Sequence, residues 1–159
     1  MKLTHLTIDP ILREFFDAKL EGAADEERAR LESCETSLRN CLDFQSGAIL
    51  TPEKSDLLRR EWKIQPRGAV ARVGNSDDLI YALARHLSTH ELPTDRSDLR
   101  TQLTVCRDLV DWVTSRRLVD EEGMICYLLD VKRDLRNLTQ SLEYDGDIMR
   151  YQAEGTQDH

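Results

Sequence analysis

Nowhere does this 159-residue chain hold the roughly eighteen consecutive apolar residues that a spanning helix needs. Met1 to Pro10 carry no signal-peptide pattern. The motifs of several chemistries are missing as well. No Gly-x-Ser-x-Gly occurs, so a nucleophile elbow has no support. No Gly-Lys-Ser/Thr follows Gly68 or Gly74, so neither belongs to a phosphate loop. None of Cys34, Cys41, Cys106 and Cys126 forms a Cys-x-x-Cys pair. Three of them, Cys34, Cys41 and Cys106, fall on apolar helical faces, where a thiol behaves as a small hydrophobe. The expectation is reduced, structural cysteines in a cytoplasmic protein. Lysine is scarce, 5 residues against 17 arginines, a ratio given no functional weight.

What is present is acid and helix. Acidic residues number 30 and basic residues 22, giving a net charge of −8 and a pI near 5.0. That sign opposes generic binding to nucleic acid or to an anionic membrane over the whole surface. Apolar residues at 40% and charged residues at 33% suit a globular chain with a real core.

The apolar spacing is helical almost throughout. Asp9-Pro10 reads as an N-cap and first helical position, with Ile11, Leu12, Phe15, Phe16 and Leu20 following before Gly22. A second helix is expected from Asp25 to Phe44, with Leu31, Cys34, Leu38, Cys41 and Leu42 on its apolar face. Thr51-Pro52-Glu53 opens a short third helix with Leu57, Leu58 and Trp62. Ser76 is read as the cap of a fourth, with Asp77 and Asp78 favoured by the dipole in its first turn. Thr94 or Asp95 starts a fifth, carrying Leu99, Leu103, Cys106, Leu109, Val110 and Val113. The one possible strand, Ala69 to Val73, is short and bounded by glycines, so a loop or single extended piece is expected there.

The last helix has the clearest pattern. Met124, Leu128, Val131, Leu135, Leu138 and Leu142 form a heptad a/d seam. Its acidic start is read at Asp120, and Asp145-Gly146-Asp147 is read as its end. The seam is expected either to pack internally or to meet a second copy or a partner protein.

Shifting the chain by 68 residues aligns 9–50 with 77–118 without a gap, with seven of 42 positions identical. About three identities are expected by chance. Two unrelated amphipathic helix pairs of equal length also align this way, so duplication is one of two readings. The expected fold is all-α: about six helices in one domain spanning 1–152, with tandem hairpins 9–50 and 77–118. A basic joining segment, 51–75, separates them. A C-terminal helix, 120–144, and a flexible tail, 153–159, complete it. The segments ending Leu38–Phe44 and Cys106–Trp112 resemble the small helical core-binding domain of tyrosine recombinases. No recombinase catalytic domain accompanies them, and the charge is opposite to that of a DNA clamp.

The joining segment reverses the chain's charge. Arg59, Arg60, Lys63, Arg67 and Arg72 stand against one acid, Glu61, with Trp62 and Ile64 among them. Such a stretch suits docking on an acidic protein, contact with nucleic-acid phosphates while a base stacks, or pairing with the chain's own carboxylates. His86 and His90 share a helix face and are a remote metal candidate, without the H-E-x-x-H glutamate. Glu143, Asp145, Asp147 and Glu154 match four positions of a calcium loop, but Ile148 stands where the sharp turn belongs. No cofactor and no catalytic residue is expected. The expected function is a non-catalytic helical adaptor, inhibitor or small subunit acting through protein–protein interaction. Its candidate contacts are Arg59, Arg60, Trp62, Lys63, Arg67 and Arg72, with the heptad seam as an oligomer or partner surface. The alternatives are nucleic-acid association through 59–72, an acidic nucleic-acid mimic, or a metal enzyme at His86/His90.

Overall fold

The structure, a computed structural model, describes residues 6–44, 51–88 and 92–155; for residue 88 and for 145–155 it describes the backbone only. Seven α-helices and no strand occur among the described residues. They are α1 (Ile8–Leu20), α2 (Asp25–Phe44), α3 (Pro52–Ile64), α4 (Ala69–Val73), α5 (Ser76–Ser88), α6 (Arg96–Ser115) and α7 (Ile125–Gly155). The expected all-α class is what is observed, and α4 is the helix beyond the six.

Local chemistry accounts for most boundaries. Asp95 caps α6, its side chain accepting the Asp98 N–H at 3.0 Å. Thr51 caps α3 by accepting the Lys54 N–H at 3.4 Å, with Pro52 in the first turn. Two boundaries differ from expectation because a tertiary contact competes. The cap of α5 is Asn75 rather than Ser76. Asn75 Oδ1 accepts the Asp78 N–H at 3.1 Å while Asp78 Oδ2 accepts the Asn75 N–H at 3.0 Å, a reciprocal capping box. Ser76 is then free to turn inward, where its hydroxyl donates to the Leu118 carbonyl. Helix α1 starts one residue before Asp9, because the Ile8 N–H donates to the Gly74 carbonyl at 2.9 Å. Asp9 instead accepts from Arg39 and Arg13, each at 2.8 Å.

The segment Ala69–Val73 is a buried helical turn, not an extended piece. Gly68 enters it at φ +79°, a left-handed conformation, and donates its N–H to Asp43 Oδ2 at 3.0 Å. Gly74 leaves it where a Cβ would come within 2.8 Å of Ile8 Cδ1 and 3.0 Å of the Val70 carbonyl. Small residues at both ends let α4 sit against α1 and α2.

The long helix also departs from expectation at both ends. Asp120, Glu121 and Glu122 lie in a turn before it, with Asp120 Oδ1 accepting the Gly123 N–H at 3.2 Å. The backbone then stays helical through Asp145-Gly146-Asp147 and on to Gly155. One glycine costs an α-helix only about 1 kcal/mol, and no proline is present to stop it. The segment read as a tail is therefore helical as far as Gly155, and 156–159 lie outside the described residues.

Packing draws on both halves of the chain. Ile11, Phe15, Leu38, Leu42, Leu79, Leu83, Leu109, Val113, Val131 and Leu135 belong to one continuous buried cluster. Helix α7 lies mainly against α5, and also against α6; α2 packs on α6, and α1 on α2 and α4. Phe15 meets Phe16 and Trp112 edge to face, at 5.2 and 5.6 Å between centroids. At the 68-residue offset, α1 and α5 match in both bounds, whereas α6 starts three residues later than the shift would place it. The aligned pair Phe44/Trp112 has unlike fates: Phe44 is 81% exposed while Trp112 packs on Phe15 and under the Arg116 guanidinium.

Candidate functional site

Helix α3 holds most of the basic segment and has no buried residue. It is fastened to the body on one side. Lys54 Nζ donates to Asp78 Oδ2 at 2.7 Å, Glu61 Oε2 accepts from Arg72 Nε at 2.9 Å, and Leu58 packs partly on the core. At about 100° per residue, the opposite side carries Arg59 and Lys63, one turn apart, with Arg60 beside them. All three are exposed. Apolar residues flank this ridge: Leu57 and Ile64 on one side, Trp62 on the other. Ile64 is 82% exposed and Trp62 47%. A cationic ridge between two solvent-facing apolar strips is therefore displayed on a helix anchored along its back.

The six basic-segment residues do not act as a unit. Arg59 has one loose contact, Nη1 to Asp56 Oδ1 at 3.7 Å, with both side chains mostly exposed. Such a pair is worth little in water. Arg60, Lys63 and Arg67 have no ion-pair partner among the described residues. Arg72 belongs elsewhere. Besides Glu61, it donates from Nη1 to the Arg67 carbonyl at 2.9 Å and from Nη2 to the Gln65 carbonyl at 2.5 Å. Its planar fork closes the turn between α3 and α4, which removes it from a partner-facing set. The expected internal pairing thus holds for Arg72, and only loosely for Arg59.

The heptad seam turns inward. Leu128, Val131, Leu135 and Leu142 are buried, and Met124 and Leu138 pack partly buried on the same cluster. As an exposed oligomer or partner surface it is corrected: the stripe is used by α5 and α6 of the same chain. Among the described side chains, the outward large apolar residues of α7 are instead Ile125, Tyr127, Leu129 and Tyr144, with Tyr127 edge to face on Tyr81.

Of the metal candidates, His86 is 1% exposed and its Nε2 meets the Gln102 side-chain amide. It serves as a core polar pair between α5 and α6. His90 lies outside the described residues. No group of three or more metal-ligating side chains occurs among the described residues. The calcium-loop match falls on continuous helix, whose backbone cannot wrap an ion as that loop does. Cys34, Cys41 and Cys106 are buried free thiols and Cys126 is an exposed one. Burial pushes the Cys34 thiol up to about 12. Cys106 is raised too, by burial first and then by Cys34 and Cys41 nearby. Buried thiols held protonated are poor nucleophiles.

Two features escaped sequence reading. Phe44, at the end of α2, is exposed although its i−3 and i−2 neighbours Cys41 and Leu42 are core. The carboxylates that tie α3 down, Asp78 and Glu61, look in the sequence like a helix-start acid and a lone acid among bases. The fold and site define an all-α protein that displays a basic, aromatic helix. Comparison of the chain with protein-family models, with curated proteins and with solved structures gives no match. No helix among the described residues is long and apolar enough to cross a membrane.

Proposed function

We propose that this chain is a non-catalytic helical adaptor or small subunit, and that it docks an acidic surface of a partner protein through α3. The observation carrying this reading is a helix that buries none of its own residues and leaves Leu57, Trp62 and Ile64 open beside Arg59, Arg60 and Lys63. Tryptophan and arginine are the residues whose burial contributes most at protein interfaces. The aliphatic strip of Leu57 and Ile64 suits the apolar centre of such an interface, and the cationic ridge sets the partner's sign. An extended polyanion such as nucleic acid fits less well, because beyond this short ridge it would meet a chain whose net charge is −8. Three buried free thiols suit a reducing compartment, which supports a cytoplasmic setting.

The test is affinity capture with the native chain and with the triple variant Arg59→Glu, Trp62→Ala, Lys63→Glu, whose three sites are all exposed. A protein retained at physiological salt by the first, lost by the second, and cross-linked from Lys63 to its own acidic residues supports the proposal. An unchanged set of captured proteins refutes it. Tight, steeply salt-dependent binding of labelled oligonucleotides that the variant loses would replace it with the nucleic-acid reading.

A further inference from the structure

A second surface, independent of α3, lies along the outer seam of α6 and α7. The two helices run antiparallel. Arg96, at the start of α6, donates from Nη2 to the carbonyl of Leu142, far along α7, at 2.5 Å. Between them is a groove of about 540 Å³. Its lining includes the buried residues Leu103, Leu135 and Leu142, and the exposed cations Arg100, Arg107, Lys132 and Arg136. Lys132 and Arg136 are one turn apart on α7, and Arg107 comes from α6.

The charges in this groove are out of balance. Several cations elsewhere in this acidic chain sit on carboxylates, Arg39 on Asp9, Lys54 on Asp78 and Arg72 on Glu61, while Arg60, Lys63 and Arg67 do not. Here, Lys132 and Arg136 have no ion-pair or hydrogen-bond partner among the described residues. Arg107 reaches only Asp108, Nε to Oδ1 at 3.8 Å, and Lys19 already holds that carboxylate. Two acids, Asp111 and Glu143, also line the groove, and neither lies within ion-pair distance of the four cations among the described contacts. Like charges gathered from two helices repel one another, and an anion relieves that repulsion.

We propose that this groove binds a small amphiphilic anion: a carboxylate or phosphate head on Arg107, Lys132 and Arg136, with an apolar body over Leu103, Leu135 and Leu142. The volume falls in the range of small-ligand sites, roughly 300–1,000 Å³. Guanidinium pairs with either head, so an acyl carboxylate and an alkyl phosphate share the chemistry the site reads.

The test titrates the full chain with dodecanoate and dodecyl phosphate below their micelle concentrations, followed by calorimetry and amide NMR. Dodecyltrimethylammonium supplies the same tail with the opposite head, inorganic phosphate the head without the tail, and an acidic Glu/Leu helical peptide the rival occupant. Either anionic amphiphile, or both, should bind with shifts confined to α6 and α7, and the relative affinity of the two identifies the preferred head. Inorganic phosphate should bind at least about tenfold more weakly. The double variant Arg107→Glu, Arg136→Glu should lose at least about tenfold in affinity at unchanged helicity. Should that variant fail to fold, Lys132→Gln changes one exposed side chain and should still weaken binding measurably. Equal binding of the cationic amphiphile, full binding by a folded variant, no binding of either anion, or tighter binding of the peptide would each overturn the proposal.

Discussion

Leu128 and Leu129 are neighbours of identical chemistry on α7, and the fold treats them oppositely. Leu128 is 4% exposed on the inward seam, whereas Leu129 is 58% exposed. Truncating each to alanine deletes the same atoms and changes helix propensity by the same small amount. At Leu128, three lost carbons remove about 2.4 kcal/mol of transfer free energy at ~0.8 kcal/mol each. The cavity left against α5 and α6 brings the total to about 2–5 kcal/mol. For a chain of this length, each kcal/mol moves Tm by about 2–4 °C, so Leu128→Ala should melt some 4–20 °C lower. Leu129→Ala should stay within about 0.5 kcal/mol of the parent. Urea unfolding followed by far-ultraviolet circular dichroism measures both, and an unchanged m-value keeps the comparison clean. A reversed order, with Leu129→Ala the costlier, would mean that α7 is rotated and the stripe faces outward. A Tm of the parent that rises with protein concentration would mean that a second copy covers the stripe. Either result refutes the inward seam.

Thiol titration of the native chain should show one fast cysteine, Cys126, with Cys34, Cys41 and Cys106 reacting only after denaturant is added; three fast thiols would contradict the packing of α2 on α6. Glu35 is raised above its ordinary carboxylate value, by burial first, against Arg39 and with help from Asp17, Asp9 and Glu32. The folded chain therefore holds that proton more tightly than the unfolded chain, and this contribution to stability is lost as pH rises from the ordinary value through the folded one. Unfolding of Glu35→Gln between pH ~4 and ~7 should accordingly lose less stability than the parent, and a variant that loses more would reverse the assigned cause. Gly146→Ala should stabilise the helix by about 0.5–1 kcal/mol, because the backbone there is helical; a destabilised variant would place a turn at that glycine.

Much of the architecture was legible because its signals are local. The bounds of α2, the cap at Asp95 and the Thr51-Pro52 start all depend on residues within a few positions of one another. The misreadings share a different cause. Ala69–Val73 is too short to show a period, and its helical state rests on burial against α1 and α2. Asp145-Gly146-Asp147 has the composition of a turn, yet the helix continues through it. In the candidate site, the exposed basic and aromatic residues of α3 could be named from composition. The withdrawal of Arg72 could not, because its partners are a carboxylate and two carbonyls brought together by the turn after α3.

The order of amino acids alone determined that the chain is helical, which faces of each rod are apolar, and where its one strongly basic stretch lies. Periodicity and caps act over one or two turns, and they survive without knowledge of the rest. Packing alone decided that the heptad stripe is closed inside while α3 stays open, and that Arg107, Lys132 and Arg136 meet across one groove. An apolar stripe is indifferent to whether its cover comes from its own chain or another. A charge acquires its partners only when distant segments are brought within a few ångströms.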